Sequence, residues 1–149
     1  AYVTQTTLSI DDTKNIIKIL KSKNPNIEGP ELDDICYATQ NRQEAVNALA
    51  KMCDLVLVIG SENSSNTQRL AEIVKKKKVV VYRIANVNEI EKRWLCGVEN
   101  VGITAGASSP EILITETLDF LKKYYEKVNI TTMHGVKEKT IFKPLLNFS

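Results

Sequence analysis

Cysteine and histidine are scarce in this chain, with three of the first and one of the second in 149 residues. Cys36, Cys53 and Cys96 form no close pair, which fits a reducing compartment better than a disulfide framework. A lone histidine, His134, disfavours a histidine-based metal site or a Ser-His-Asp triad, and its default reading is a surface residue. Long apolar runs are missing too. The longest, Leu55-Val56-Leu57-Val58-Ile59, is far short of the roughly 20 residues that a membrane-spanning helix needs. No sign of charge dominates: 20 basic against 18 acidic residues leave +2, so the field alone does not point to nucleic acid. The one basic run, residues 75–78, reads as a solvated helix end. Neither of the standard glycine-rich nucleotide loops is present.

What is present is an ordinary globular composition, 43% hydrophobic and 26% charged, able to bury a core. The length suits one domain, or one domain with a piece of another. The chain opens Ala1-Tyr2-Val3-Thr4 without Met and reads as the end of a strand, so a fragment is expected. Ser9-Ile10-Asp11-Asp12 starts a helix whose apolar side is Ile16, Ile17, Ile19 and Leu20, and Asn24-Pro25 stops it. Gly29-Pro30 marks a loop that suits a domain boundary.

From there strands and helices alternate. Strands are expected at residues 34–37, 55–59, 79–84 and 100–104, and helices at 42–52, 67–76, 88–95 and 110–126. The last helix starts at Pro110 behind a Ser109 cap, with Ile112, Leu113, Leu118 and Leu121 inward. This alternation predicts an α/β fold, a parallel sheet with helices on both faces, plus the end of a preceding α/β unit. The expected division is residues 1–31 for that end and its linker, 32–128 for the α/β domain, and 129–149 for a less periodic tail. Residues 139–143 could add one extended segment to it.

In such sheets ligands bind at the carboxyl ends of the strands, where loops lead into helix N-termini. Four loops read this way: residues 5–9, 36–41, 60–66 and 104–109. All are dense in hydroxyls, amides and small residues, which suits phosphate or carboxylate at a positive helix end. The bland alternative is helix capping, which Ser and Asn favour anyway. Three serines and two asparagines within residues 60–66 exceed what one cap needs.

The cysteines separate by position. Cys36 lies at a strand's carboxyl end, in the polar mouth, open between buried filler, nucleophile and metal ligand. Cys53 and Cys96 precede strands and belong at the opposite edge, about 17–20 Å away, as small, partly buried hydrophobes. Cys36 and Arg42 also stand in the Cys-x5-Arg spacing of cysteine phosphatases, where backbone amides and an arginine surround phosphate. The intervening residues hold no glycine, and Ile35 stands where that family usually has histidine.

Four stretches together resemble one family. They are Gln5-Thr6-Thr7-Leu8-Ser9, Asp34-Ile35-Cys36-Tyr37-Ala38-Thr39-Gln40-Asn41-Arg42-Gln43, Ser64-Ser65-Asn66 and Thr104-Ala105-Gly106-Ala107-Ser108-Ser109-Pro110. They resemble, over residues 1–123, the C-terminal half of the LytB-type 4-hydroxy-3-methylbut-2-enyl diphosphate reductases of the non-mevalonate isoprenoid pathway. The resemblance implies a three-domain cloverleaf around a 4Fe–4S cluster, with Cys36 as one of its three cysteine ligands. It implies Ser64, Ser65, Asn66 and Ser108 as diphosphate ligands, and Thr6 as a catalytic, substrate-binding threonine near the substrate hydroxyl. Two electrons and two protons would remove that hydroxyl as water, giving isopentenyl and dimethylallyl diphosphate. A ferredoxin or flavodoxin-type donor is implied, in a bacterial cytoplasm or, second, a plastid-type organelle. The remaining ligands and the family's catalytic glutamate would precede Ala1, so the chain alone is expected to be inactive. Two other readings stay open: a cysteine phosphatase using Cys36 and Arg42, and a non-catalytic diphosphate-binding module.

Overall fold

The computed structural model describes residues 1–3, 10–30, 37–125 and 127–133. Thr6, residues 34–36 with Cys36, His134 and residues 139–143 lie outside the described residues.

Five consecutive apolar residues cannot offer a wetted face, so Leu55–Ile59 (β1) must be covered on both sides. All five are fully buried. Val80–Ile84 (β2) and Val101–Ala105 (β3) flank it in parallel, in the order β2-β1-β3, with Leu57 opposite both Tyr82 and Ile103. The remaining elements are the helices Ile10–Lys23 (α1), Tyr37–Leu49 (α2), Ser65–Lys76 (α3) and Glu111–Tyr124 (α4). Val56 and Val58 pack against Val46 of α2, Ala50 just past its end, and Leu70, Ile73 and Val74 of α3. Leu55, Leu57 and Ile59 pack on the other face, against Ile84, Ile90, Leu95 and Leu121 of α4. The fold is therefore the expected parallel α/β sheet with helices on both faces.

Several local expectations shift. Helix α2 begins at Tyr37, so Tyr37 is not strand and residues 37–41 are not loop. Its buried stripe is Thr39, Gln43 and Val46, at helical spacing, continued by Ala50 just past the helix end. The first two members are polar, which hid the first turns from a hydrophobic periodicity. Residues 87–95 form two short 3₁₀ turns, Val87–Glu89 and Lys92–Leu95, rather than one helix. Both Ile90 and Leu95 are buried against the sheet. Five residues along an α-helix would set them about 140° apart, so one continuous helix could not bury both. Asn86 caps the first turn, accepting from the Asn88 amide at 3.0 Å, and the Glu89 carboxylate accepts from the Ala85 amide at 2.9 Å.

In α4 the buried positions are Thr117 and Leu121, while Leu113 is partly buried and Ile112 is 58% exposed, against expectation. The Thr117 hydroxyl donates to the Leu113 carbonyl at 2.8 Å, which lets a polar residue occupy the inward stripe. Pro110, not Ser109, is the N-cap of α4. On α1, Ile16 and Ile19 are more than half exposed, so only part of its apolar side is covered by described residues. Residues 1–3 form no strand; the Tyr2 amide donates to the Glu28 carbonyl at 2.9 Å and its hydroxyl to the Pro30 carbonyl at 3.3 Å. Lys75 to Lys78 are exposed at the end of α3, as a solvated charge run should be.

Removing a side chain from the centre of β1 should be far more damaging than removing an equal one from the start of α4. Leu57→Ala is expected to lower unfolding free energy by about 2–5 kcal/mol, and Ile112→Ala by about 0.5 kcal/mol or less. Urea unfolding of the two variants measures this, and equal losses would misplace the core.

Candidate functional site

Strands β1 and β3 are neighbours, and Ile59 and Ala105 end them side by side. From Ile59 the chain passes to α3 on one face; from Ala105 it passes to α4 on the other. The two connections thus part at a crevice above the carboxyl ends of the strands, the switch point at which open α/β sheets bind ligands.

The first connection runs Gly60-Ser61-Glu62-Asn63-Ser64. The Gly60 amide donates to the Ile84 carbonyl at 3.0 Å, continuing the ladder, and the Ser64 amide donates to the Ser61 carbonyl at 3.0 Å, closing a turn. Arg83 of β2 donates through Nη1 to the Glu62 carbonyl at 3.2 Å, tying the loop to the sheet. Ser64 then caps α3: its hydroxyl oxygen accepts from the Thr67 amide at 3.3 Å. The capping alternative for this serine is therefore realised. Acceptance leaves its O–H proton available to a ligand.

The second connection runs Gly106-Ala107-Ser108-Ser109-Pro110. The Gly106 amide donates to the Ile59 carbonyl at 2.9 Å, and the Ser109 amide to the Gly106 carbonyl at 3.0 Å. The Ser109 hydroxyl donates to the same Ile59 carbonyl at 3.0 Å.

Two side chains from α3 fill the space between these loops. Thr67 is 1% exposed and Asn66 is 8% exposed. A Cβ on Gly106 would lie 2.8 Å from Thr67 Oγ1 and 3.9 Å from Asn66 Nδ2, and a Cβ on Gly60 would overlap Thr67 Oγ1. Close approach thus requires glycine at both positions, and at Gly60 a φ of +156° adds to that requirement. Among the described residues, Asn66 Oδ1, Asn66 Nδ2 and Thr67 Oγ1 are buried without a hydrogen-bond partner. Each such group costs about 1–3 kcal/mol when left unpaired.

Of the candidate residues, the fold brings Ser64 and Asn66 to one crevice with the loop that carries Ser108. Ser65 is the first residue of α3 and exposed, and Ser108 is exposed at the rim. Thr6 and Cys36 lie outside the described residues. Gly60, Gly106, Thr67 and Arg83 were not singled out from the sequence; a glycine directly after each buried strand was the available signal. The phosphatase reading does not hold. Tyr37 to Arg42 are helical, so no loop of free amides spans the Cys-x5-Arg spacing.

The other cysteines stand where expected, at the amino ends of the strands. Cys53 is half-buried, with its Sγ 2.9 Å from where a Cβ on Gly102 would be. Burial first, and the Asp54 charge second, push its thiol pKa up, so it is not an activated thiolate. Cys96 is exposed rather than partly buried, because it follows the second 3₁₀ turn out of the core. No group of three His, Cys, Asp or Glu able to hold a metal ion occurs among the described residues.

These features define an α/β protein with a polar-lined crevice at its switch point. The family model described as LytB protein matches residues 1–122, and the chain belongs to that family. It is 49% identical over 142 residues to the 4-hydroxy-3-methylbut-2-enyl diphosphate reductase of Chromobacterium violaceum, covering 95% of this chain and 45% of that protein. It is 56% identical over 142 residues to the enzyme of the same name from a Psychrobacter species, covering 95% and 44%. The solved structure of the E-1-hydroxy-2-methyl-but-2-enyl-4-diphosphate reductase from Plasmodium falciparum superposes with a TM-score of 0.76 at 39% identity. That match covers 81% of this chain and 38% of that one. The chain spans less than half the length of the curated relatives it matches.

Because Thr67 is wedged between two glycines, Gly60→Ala should cost about 1–3 kcal/mol of stability. Thr67→Ala in that background should restore part of it, so the two changes are non-additive in a urea-unfolding double-mutant cycle. Additive effects would show that the two residues do not touch.

Proposed function

We propose that this chain supplies the diphosphate grip of an iron–sulfur reductase acting on 4-hydroxy-3-methylbut-2-enyl diphosphate. The overall change replaces a C–O bond by C–H: two electrons and two protons enter, the hydroxyl leaves as water, and isopentenyl and dimethylallyl diphosphate form. The observation that carries the proposal is the Asn66 side chain, buried and unpartnered beside Gly106 at the N-terminus of a twelve-residue helix. An anion there meets Nδ2 of Asn66 as a donor, the spare hydroxyl proton of Ser64, and the positive end of α3. Ser65 and Ser108 complete the proposed set from the rim. Thr6 is proposed near the substrate hydroxyl. The domain division expected from the sequence, at residues 31/32 and 128/129, is retained as part of the proposal.

The described residues do not fit the iron–sulfur cluster the family implies. Cys53 has a raised thiol pKa, and Cys96 lies with it at the amino ends of the strands. Cys36 is the one proposed cluster ligand in this chain. A ferredoxin or flavodoxin-type protein is the proposed electron donor. No described helix is long and apolar enough to cross a membrane. The bacterial relatives support a cytoplasmic setting, with a plastid-type organelle as the second choice.

Losing a hydrogen bond to a charged group is worth about 1.5–3 kcal/mol, or roughly 10- to 150-fold in affinity. Asn66→Ala should weaken the binding of inorganic pyrophosphate by that factor, read by titration calorimetry. Unchanged affinity would remove Asn66 from the site. An anaerobic assay of the protein carrying this chain, with a strong reductant, tests the reaction itself. Tight substrate binding without water loss would leave a diphosphate-binding module in place of a reductase.

A further inference from the structure

Ser108 and Ser109 are adjacent and chemically identical, and the cap that the sequence assigns to Ser109 is not its role in the fold. The geometry separates them. The Ser109 hydroxyl donates to the Ile59 carbonyl at 3.0 Å, across fifty positions of sequence. That carbonyl also accepts the Gly106 amide at 2.9 Å, so both of its lone pairs are engaged by the second connection. The Ser109 oxygen lies close to both crowded glycines, 3.1 Å from a Cβ placed on Gly60 and 3.4 Å from one on Gly106. It therefore sits on the seam between the two loops. It is not a helix cap, since Pro110 is the N-cap of α4 and makes no side-chain cap bond.

We infer that Ser109 is a positioning residue that locks the second loop onto the end of β1 and so sets Ser108, and that it is not itself an anion ligand. A serine hydroxyl has one proton. In Ser109 that proton is engaged by Ile59, and only lone pairs remain, which an anion repels. Ser108, exposed at the rim, is bracketed by two anchors of its neighbour. These are the Ser109 amide on the Gly106 carbonyl and the Ser109 hydroxyl on the Ile59 carbonyl. Without the hydroxyl, the loop keeps its turn and the Gly106 amide's bond to Ile59 but loses the second tie to β1, the one on the far side of Ser108. Ser108 is then free to drift from the position at which its donor meets the ligand.

The inference rests on the diphosphate reading of the crevice, and its test separates the two. Inorganic pyrophosphate is titrated against the chain and its Ser109→Ala, Ser109→Thr, Ser108→Ala and doubly substituted variants. Ser109→Ala is expected to weaken binding by up to about tenfold, the size of one neutral hydrogen bond. Ser109→Thr, which keeps the hydroxyl, should restore affinity to within about threefold of the starting protein, a small fraction of one such bond. The decisive readout is coupling. If Ser109 acts through Ser108, the double variant binds as weakly as Ser108→Ala and no weaker. Additive losses would make Ser109 a direct ligand or an independent structural element and overturn the inference, as would wild-type affinity in Ser109→Ala. Should Ser109→Ala fail to fold, Ser109→Val, which has the shape of the threonine variant without its hydroxyl, replaces it in the same cycle: no loss beyond Ser108→Ala supports the inference and additive loss overturns it. A starting protein that binds no pyrophosphate would instead overturn the diphosphate reading.

Discussion

Thr67 stands where no other atoms have room: its hydroxyl is pressed between the glycines that end β1 and β3. Adjacent parallel strands lie about 4.8 Å apart, so their first loop residues can close around a side chain only if neither carries a Cβ. That closeness has three consequences. It draws Asn66, one residue earlier on α3, into a buried position beside Gly106. It brings the Ser109 hydroxyl within reach of the Ile59 carbonyl. It also fixes the start of α3 at Ser65, with Ser64 as the cap. The crevice and its polar lining follow from one crowded contact between helix and strand ends.

Most of the architecture was legible because it is written in apolar runs. Leu55 to Ile59 reads as a doubly covered strand, and the elements on either side follow at ordinary spacing. The failures have physical causes. The start of α2 was hidden because Thr39 and Gln43, two polar residues, occupy its buried stripe. The segment around Ile90 and Leu95 looked like one helix because hydrophobic content does not report angle around an axis. Ile112 was placed inward, yet α4 is rotated to bury Thr117, a residue that hydropathy would set outside.

The site was legible in kind and less so in detail. The density of Ser and Asn at residues 60–66, and of Ser and Thr at 104–109, marked the two loops that flank the crevice, and the resemblance picked out Ser64, Ser65, Asn66 and Ser108. What was not legible is which hydroxyl protons are already engaged, since that depends on tertiary distances. Ser64 accepts a cap bond and keeps its proton, whereas Ser109 gives its proton to a carbonyl. The cysteines illustrate the reverse case. Counting residues back from the strands sufficed to set Cys53 and Cys96 at the amino edge, although only the fold shows Cys96 reaching solvent.

The central claim is that the unpaired Nδ2 donor of Asn66 awaits an anion. A crystal structure of the chain with bound inorganic pyrophosphate tests it most directly. The account predicts a phosphate oxygen about 2.7–3.2 Å from Asn66 Nδ2, within the crevice between Gly60 and Gly106. Pyrophosphate bound elsewhere, with the Asn66 amide paired to protein groups, would contradict it.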